Sequence, residues 1–260
     1  MKCKNCNANL RTDFKYCPGC GAKVVLKRIT FKGLFSDFFE RLLNLENNFF
    51  KTIGHLTVWP EKVITSYVDG TRRKYLNPIN YLTISLALSG ILLFFLRRFA
   101  LDKINFDVFG MDVSTSGSMK VMNIVMEYNN FIFLLYIPII ALAGYITLNQ
   151  RSYNLPEYIV TGTYILSHTS LLTFPISMII ILGFPESYMA YSIFSLLIML
   201  SYTLYVLLRI HRYSITITLL RGFLFCALYL IGYFGLSIGI NLILLLTGQL
   251  QFKDFLPPEA

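Results

Sequence analysis

Five apolar runs of about twenty residues each decide what this chain is able to fold into. They lie at about 79–97, 131–149, 158–182, 188–209 and 220–247. A helix rises about 1.5 Å per residue, so each run matches the roughly 30 Å hydrocarbon core of a bilayer. Tyr and Phe crowd the ends of the runs, as in an interfacial aromatic belt. Composition points the same way. Of the 260 residues, 55% are hydrophobic and 14% are charged, against about 25% charged in an ordinary soluble domain. The expected fold class is an all-α integral membrane protein with about five transmembrane helices. Residues 99–130 read as the one long loop, carrying Asp102, Asp107, Asp112 and an STSGS stretch at 114–118.

Charge gives an orientation. Residues 1–78 hold 14 Lys/Arg against 6 Asp/Glu, which is most of the net +9. A basic segment next to membrane fits contact with anionic lipid headgroups; nucleic acid is the weaker reading. The first 30 residues contain no apolar signal-peptide core, so the N-terminus is expected in the cytosol. On that footing the inner segments 1–78, 149–157 and 209–221 hold 18 Lys/Arg and the outer ones hold 5. This is the positive-inside pattern of a multi-pass protein of the cell inner (cytoplasmic) membrane, with the C-terminus outside. Arg97 and Arg98, at the outer end of the first span, are expected to snorkel or to pair with Asp102.

Residues 27–78 precede the spans and read as amphipathic interfacial helices. Phe31, Leu34, Phe35, Phe38, Leu42, Leu45, Phe49, Ile53 and Leu56 recur at steps of three and four, one stripe of a helix over 31–57. The segment is too polar to span and suits the bilayer surface. Pro60 fits a first helical position, Val63, Ile64, Tyr67 and Val68 form the next apolar face, and Gly70 is a stop. Arg72, Arg73 and Lys74 follow as candidate headgroup contacts. Arg209 and Arg212, with His211 and Arg221, form a second basic cluster between the fourth and fifth spans. There a topology signal is preferred to a phosphate site.

Residues 1–26 carry the chemistry that is easiest to read. Cys3-x2-Cys6 and Cys17-x2-Cys20 are separated by ten residues. Tetrahedral Zn2+ takes four thiolates, and two tight turns supply two each. Pro18 fixes φ, while Gly19 and Gly21 permit a positive φ or a close backbone approach. So short a segment builds no hydrophobic core, so metal must supply its folding energy. Zinc is preferred to disulfides, which are rare in the cytosol. A redox pair would need a thioredoxin-like context that is absent. A closed four-Cys site is structural. Cys226, in the last span, reads as a small core residue.

Polar groups inside the third span come next. Glu157, Thr161, Tyr164 and His168 are spaced four, three and four apart and share a helix face. Ser167, Thr169 and Ser170 add polarity, and Pro175 is placed to kink the helix. A polar stripe faces the bundle interior or a water-filled cavity. It is either an intramembrane polar site for a headgroup, ion or proton, or interhelical hydrogen bonding, which is favoured here. No Ser-His-Asp set, phosphate loop, His-Glu-x-x-His or paired aspartates can be assembled.

The order CPGCG, RITFKGLFSDFF, WPEKVITSYVDGTRRKYLNPINYL, NLPEYIV and RIHRYS resembles a bacterial family of polytopic membrane proteins with an N-terminal zinc ribbon and no known function. The stretch Pro60 to Pro78 is the most specific part of the likeness. The resemblance implies a fold and a location, with no activity and no catalytic residue. The leading expectation is therefore a non-enzymatic adaptor or regulator that docks a cytosolic protein partner through the ribbon. The alternative is a transporter or a lipid- or ion-handling protein that uses the third-span stripe. A membrane enzyme acting on lipid headgroups ranks third.

Overall fold

The computed structural model describes residues 1–3, 5–14, 16–21, 24, 48–104, 107–108, 111–112, 116–149, 153–211 and 214–251. The chain divides into two compact units, Met1–Glu46 and Asn47–Ala260.

In the first unit the N-terminal segment folds back on itself. The Leu10 amide donates to the Met1 carbonyl at 2.7 Å, and Lys2 bridges to Asn9. Cys3, Leu10 and Cys17 are the buried residues of a small cluster that Ala8, Phe14 and Val24 flank.

The second unit is helical. It contains α1 (described over 48–58), α2 (Pro60–Val68), α3 (Pro78–Phe95), α4 (Ser116–Glu127), α5 (Asn129–Thr147), α6 (Leu155–Gly183), α7 (Tyr188–Ile210) and α8 (Ile215–Leu246). Five helical segments are long and apolar enough to span a membrane: Pro78–Lys103, Asn129–Thr147, Leu155–Gly183, Pro185–Ile210 and Thr216–Leu246. These are the five expected spans, with ends moved by a few residues. The first runs on through a five-residue π-helical turn, Leu96–Ala100, to Lys103. That turn leaves Arg97 and Arg98 exposed, and neither forms an ion pair with Asp102.

Local chemistry sets the helix starts. Asn77 caps α3 by accepting from the Ile79 amide at 2.9 Å, with Pro78 in the first turn. Asn154 and Glu157 form a reciprocal capping box on α6. Gly70, at φ 95°, ends α2 where a left-handed residue is required.

The expected long loop at 99–130 is corrected in part. Residues Ser116–Glu127 are helical, and a two-residue hairpin pairs Asp107–Val108 with Met111–Asp112. Val121, Met122, Val125 and Met126 give α4 an apolar side at helical spacing, which the Ser/Gly-rich start of the segment obscures.

Helix α6 is central, packing against α3, α5 and α7, while α8 packs on α5 and α7. Phe194, Phe223, Ile231 and Phe234 are among the large apolar side chains left exposed on α7 and α8. They form an apolar surface of the kind that hydrocarbon covers. Close approach of α5 to α6 depends on Gly144, where an added Cβ would stand 2.9 Å from the Tyr158 ring.

The amphipathic segment meets protein where it is described. Residues 31–47 of its stripe lie outside the described residues. Leu56, Val63 and Ile64 are buried in the same core as Tyr81, Tyr158 and Tyr164, with Phe49 and Ile53 packed against it. An apolar face is satisfied equally by protein or by lipid. Here the spans take it.

Candidate functional site

The four thiols of the first unit converge. All four Sγ atoms lie within 4.8 Å of one another. Cys3 and Cys20 are 3.7 Å apart, and Cys6 and Cys17 are 3.6 Å apart. Zn–S bonds of about 2.3 Å in a tetrahedron put the sulfurs about 3.8 Å apart, so the set fits an ion of that size.

The two pairs are built alike. The Asn7 amide donates to the Cys3 carbonyl and the Gly21 amide to the Cys17 carbonyl, each across four residues. The residue after each second cysteine has a positive φ, 58° at Asn7 and 71° at Gly21. Gly19 does not share that conformation. It sits beside the sulfurs, where a Cβ would lie 3.8 Å from the Cys17 Sγ. The first cysteine of each pair is buried and the second exposed.

The amides of Cys6 and Asn5 hold the Cys3 thiol below its ordinary value. At Cys6 the Ala8 amide acts in the same direction. Hydrogen bonding with Cys20 and Cys17 outweighs it and pushes that thiol up to about 12. Crowded thiols share protons that a bound cation would displace. Four protein ligands leave no open position, so such an ion supplies folding energy and no reaction.

In the second unit the sequence stripe is taken apart. Glu157 belongs to the α6 cap, its Oε2 accepting from the Asn154 amide at 2.8 Å. Thr161 donates back to the Glu157 carbonyl. Tyr164 donates to the Leu76 carbonyl at 2.7 Å. Thr57 spends its hydroxyl proton on the Ile53 carbonyl, so His168 Nε2 donates to Thr57 at 3.2 Å. His168 Nδ1 then accepts from the Tyr81 hydroxyl at 2.8 Å. Both nitrogens of a neutral imidazole are used. His168 and Tyr164 thus bind α6 to its neighbours, while the Thr161 bond stays within α6, all three in packed surroundings.

The same mode recurs at each histidine. His55 bonds Tyr75, and His211 bonds Tyr158, whose hydroxyl donates to the Leu148 carbonyl. Tyr81 and Tyr202, which flank His168, were not singled out by sequence because their spacing from it is long-range.

Arg72, Arg73 and Lys74 are exposed, with Arg72 over the Tyr67 ring and Lys74 over Tyr75. Arg209 is engaged with protein. Its Nε and Nη2 each reach a Glu61 carboxylate oxygen at 3.2 Å, and Nη2 also donates to the Val58 carbonyl. Arg212 lies outside the described residues.

Open space lies on another face of α6. Thr173 comes nine positions after Tyr164, about two and a half turns, so it points to the opposite side. Thr169, Ser170, Thr173 and Ser177 line a cavity of about 420 Å³ there, with Ser192 and Ser195 of α7 among the facing residues. Steps of three and four in these hydroxyls are the sequence signal for this face.

Residues 46–90 match a family described as "Protein of unknown function (DUF3667)". No curated protein and no solved structure matches the chain. The matched stretch holds α1, α2 and the first two thirds of α3, the part that docks on α6 and α7 through Thr57, Glu61, Leu76 and Tyr81.

Proposed function

We propose that this is a bacterial multi-pass protein of the cytoplasmic membrane that acts as an adaptor. In this reading a zinc-closed ribbon on the cytosolic side docks a protein partner, and the helical bundle is its anchor. The observation that supports it best is the convergence of four sulfurs within 4.8 Å of one another, two pairs of them near the edge length of a zinc–thiolate tetrahedron. Such a site stabilises a surface and offers no coordination position to a substrate. Zinc is preferred because four thiolates suit a borderline-soft ion of tetrahedral habit. The basic residues before the first span favour a cytosolic ribbon held near anionic lipid. The ribbon also shows the residue types that anchor interfaces, with Tyr16 56% exposed and Arg11 at the surface.

The test is affinity capture from membranes with the intact protein, a form lacking residues 1–26, and Tyr16→Ala. The reading expects one or more partners to be lost from the deletion and weakened by Tyr16→Ala. Identical partner sets in all three would sink it. The alternative of a transporter or ion-handling site built on Glu157, Thr161, Tyr164 and His168 gains nothing from their packing. Those groups are already satisfied by protein.

A further inference from the structure

We propose that the hydroxyl-bearing cavity walled by α3 to α8 binds a neutral lipid with a hydroxyl headgroup, of the diacylglycerol or long-chain alcohol class. The inference stands apart from the ribbon and its partner.

Three features carry it. First, among the described residues the cavity lining contains no Asp, Glu, Lys, Arg or His. A charged head placed in hydrocarbon without a counter-charge costs several kcal/mol, so the occupant is uncharged.

Second, the hydroxyls are set as acceptors. Thr169, Thr173 and Ser177 each donate to a carbonyl one turn back on α6, at 2.7, 2.9 and 2.9 Å. Ser192 and Ser195 do the same on α7, at 2.6 and 2.8 Å. Their protons are spent and lone pairs remain, although the Ser177 oxygen also meets the Tyr191 hydroxyl at 3.2 Å; the arrangement suits a ligand bearing O–H donors. Ser170 and Tyr188 add hydroxyls with no hydrogen-bond partner among the described residues.

Third, a second cavity of about 240 Å³ adjoins the first, sharing Ser89, Leu92, Val125, Asn129 and Tyr188 as common wall. Its remaining lining, including Leu93, Leu96 and Met126, is apolar. A compartment walled by hydroxyls together with Leu166, Leu196 and Met199, beside an apolar one, matches a head and the start of a chain better than a soluble polyol.

The experiment uses the purified full chain in detergent and a photoactivatable dioleoylglycerol, with the labelled peptides mapped. Saturable labelling of the α6 and α7 segments around Ser170 and Ser195 is expected. Unlabelled dioleoylglycerol should compete, while dioleoylphosphatidylglycerol and free glycerol should not. Ser170→Phe, which fills the cavity, should weaken labelling about tenfold, equivalent to about 1.4 kcal/mol of binding. Its melting midpoint, measured alongside, distinguishes blockage from misfolding. If that variant does not fold, the competition on the wild-type chain decides.

Labelling spread over the lipid-facing side chains Phe194 and Phe223 would overturn the proposal. So would equal competition by the charged lipid, which would mean that the head is not recognised. Competition by glycerol alone would assign the cavity to a soluble polyol and overturn it too. None of these outcomes alters the ribbon's partners, so the two readings fail separately.

Discussion

The Tyr202 hydroxyl donates to the Leu56 carbonyl at 2.8 Å, across 146 residues of sequence. In a continuous helix that carbonyl would accept from the amide of residue 60. Pro60 has no amide hydrogen, so Leu56 is left open by its own helix. The Val58 carbonyl, two residues on, receives Tyr205 and Arg209. The break between α1 and α2 is therefore closed by α7, which fixes both helices on the bundle.

Tyr202→Phe is expected to weaken this attachment. Leaving a mostly buried carbonyl unpaired costs about 1–3 kcal/mol, less any water that reaches it. A cost near 1 kcal/mol raises the open population about fivefold. Limited trypsin cleavage at Lys51, compared with wild type, measures it. Unchanged cleavage would mean that the bond contributes nothing to docking.

His168 and Tyr81 should act as a unit. His168→Phe removes the acceptor of a buried hydroxyl, and Tyr81→Phe removes the donor. Each is expected to lower stability by about 1–3 kcal/mol. The double variant should be less damaging than the sum by about 0.6 kcal/mol or more, the usual scale of such bonds in membrane bundles. Strict additivity in a thermal unfolding cycle would refute the coupling.

Glycine packing gives a contrast within one protein. Gly144→Ala places a Cβ 2.9 Å from Tyr158, whose hydroxyl is tied to Leu148 and His211. Overpacking of this kind costs about 1–3 kcal/mol. At Gly235 nothing lies within 4 Å, so Gly235→Ala should leave the melting midpoint unchanged or raise it slightly. Equal losses at the two sites would show that the α5–α6 contact is not tight.

Much of this was legible in the sequence, and what was not has physical reasons. A spanning helix is announced by its own length and hydropathy, so all five spans were readable to within a few residues. Pro60 and Gly70 act on their neighbours in the chain, so their starting and stopping roles were readable as local chemistry. Helix α4 was hidden because a twelve-residue amphipathic helix behind a Ser/Gly stretch reads as loop. The stripe around His168 was visible as polarity. Its partners were not, because Thr57 and Tyr81 lie 111 and 87 residues away. The cavity was out of reach for another reason. A serine that donates to its own backbone inside a packed seam has the same spacing as one that lines open space.

If all five helices span, the chain entering α3 and the chain leaving α8 stand on opposite sides of the membrane. A fluorescent protein at the N-terminus should mature in the cytosol. A phosphatase fused after Gln251 should be active only outside. A phosphatase silent at that position, with a fluorescent protein active there, would break the five-span reading.

The ribbon's metal is the claim on which the adaptor reading most depends. Elemental analysis of purified wild type and Cys17→Ser, paired with membrane fractionation, tests it directly. The account expects close to one zinc per chain in wild type and a large loss in Cys17→Ser, with membrane insertion of both unchanged. Wild-type protein purified without chelator and carrying no zinc would contradict it.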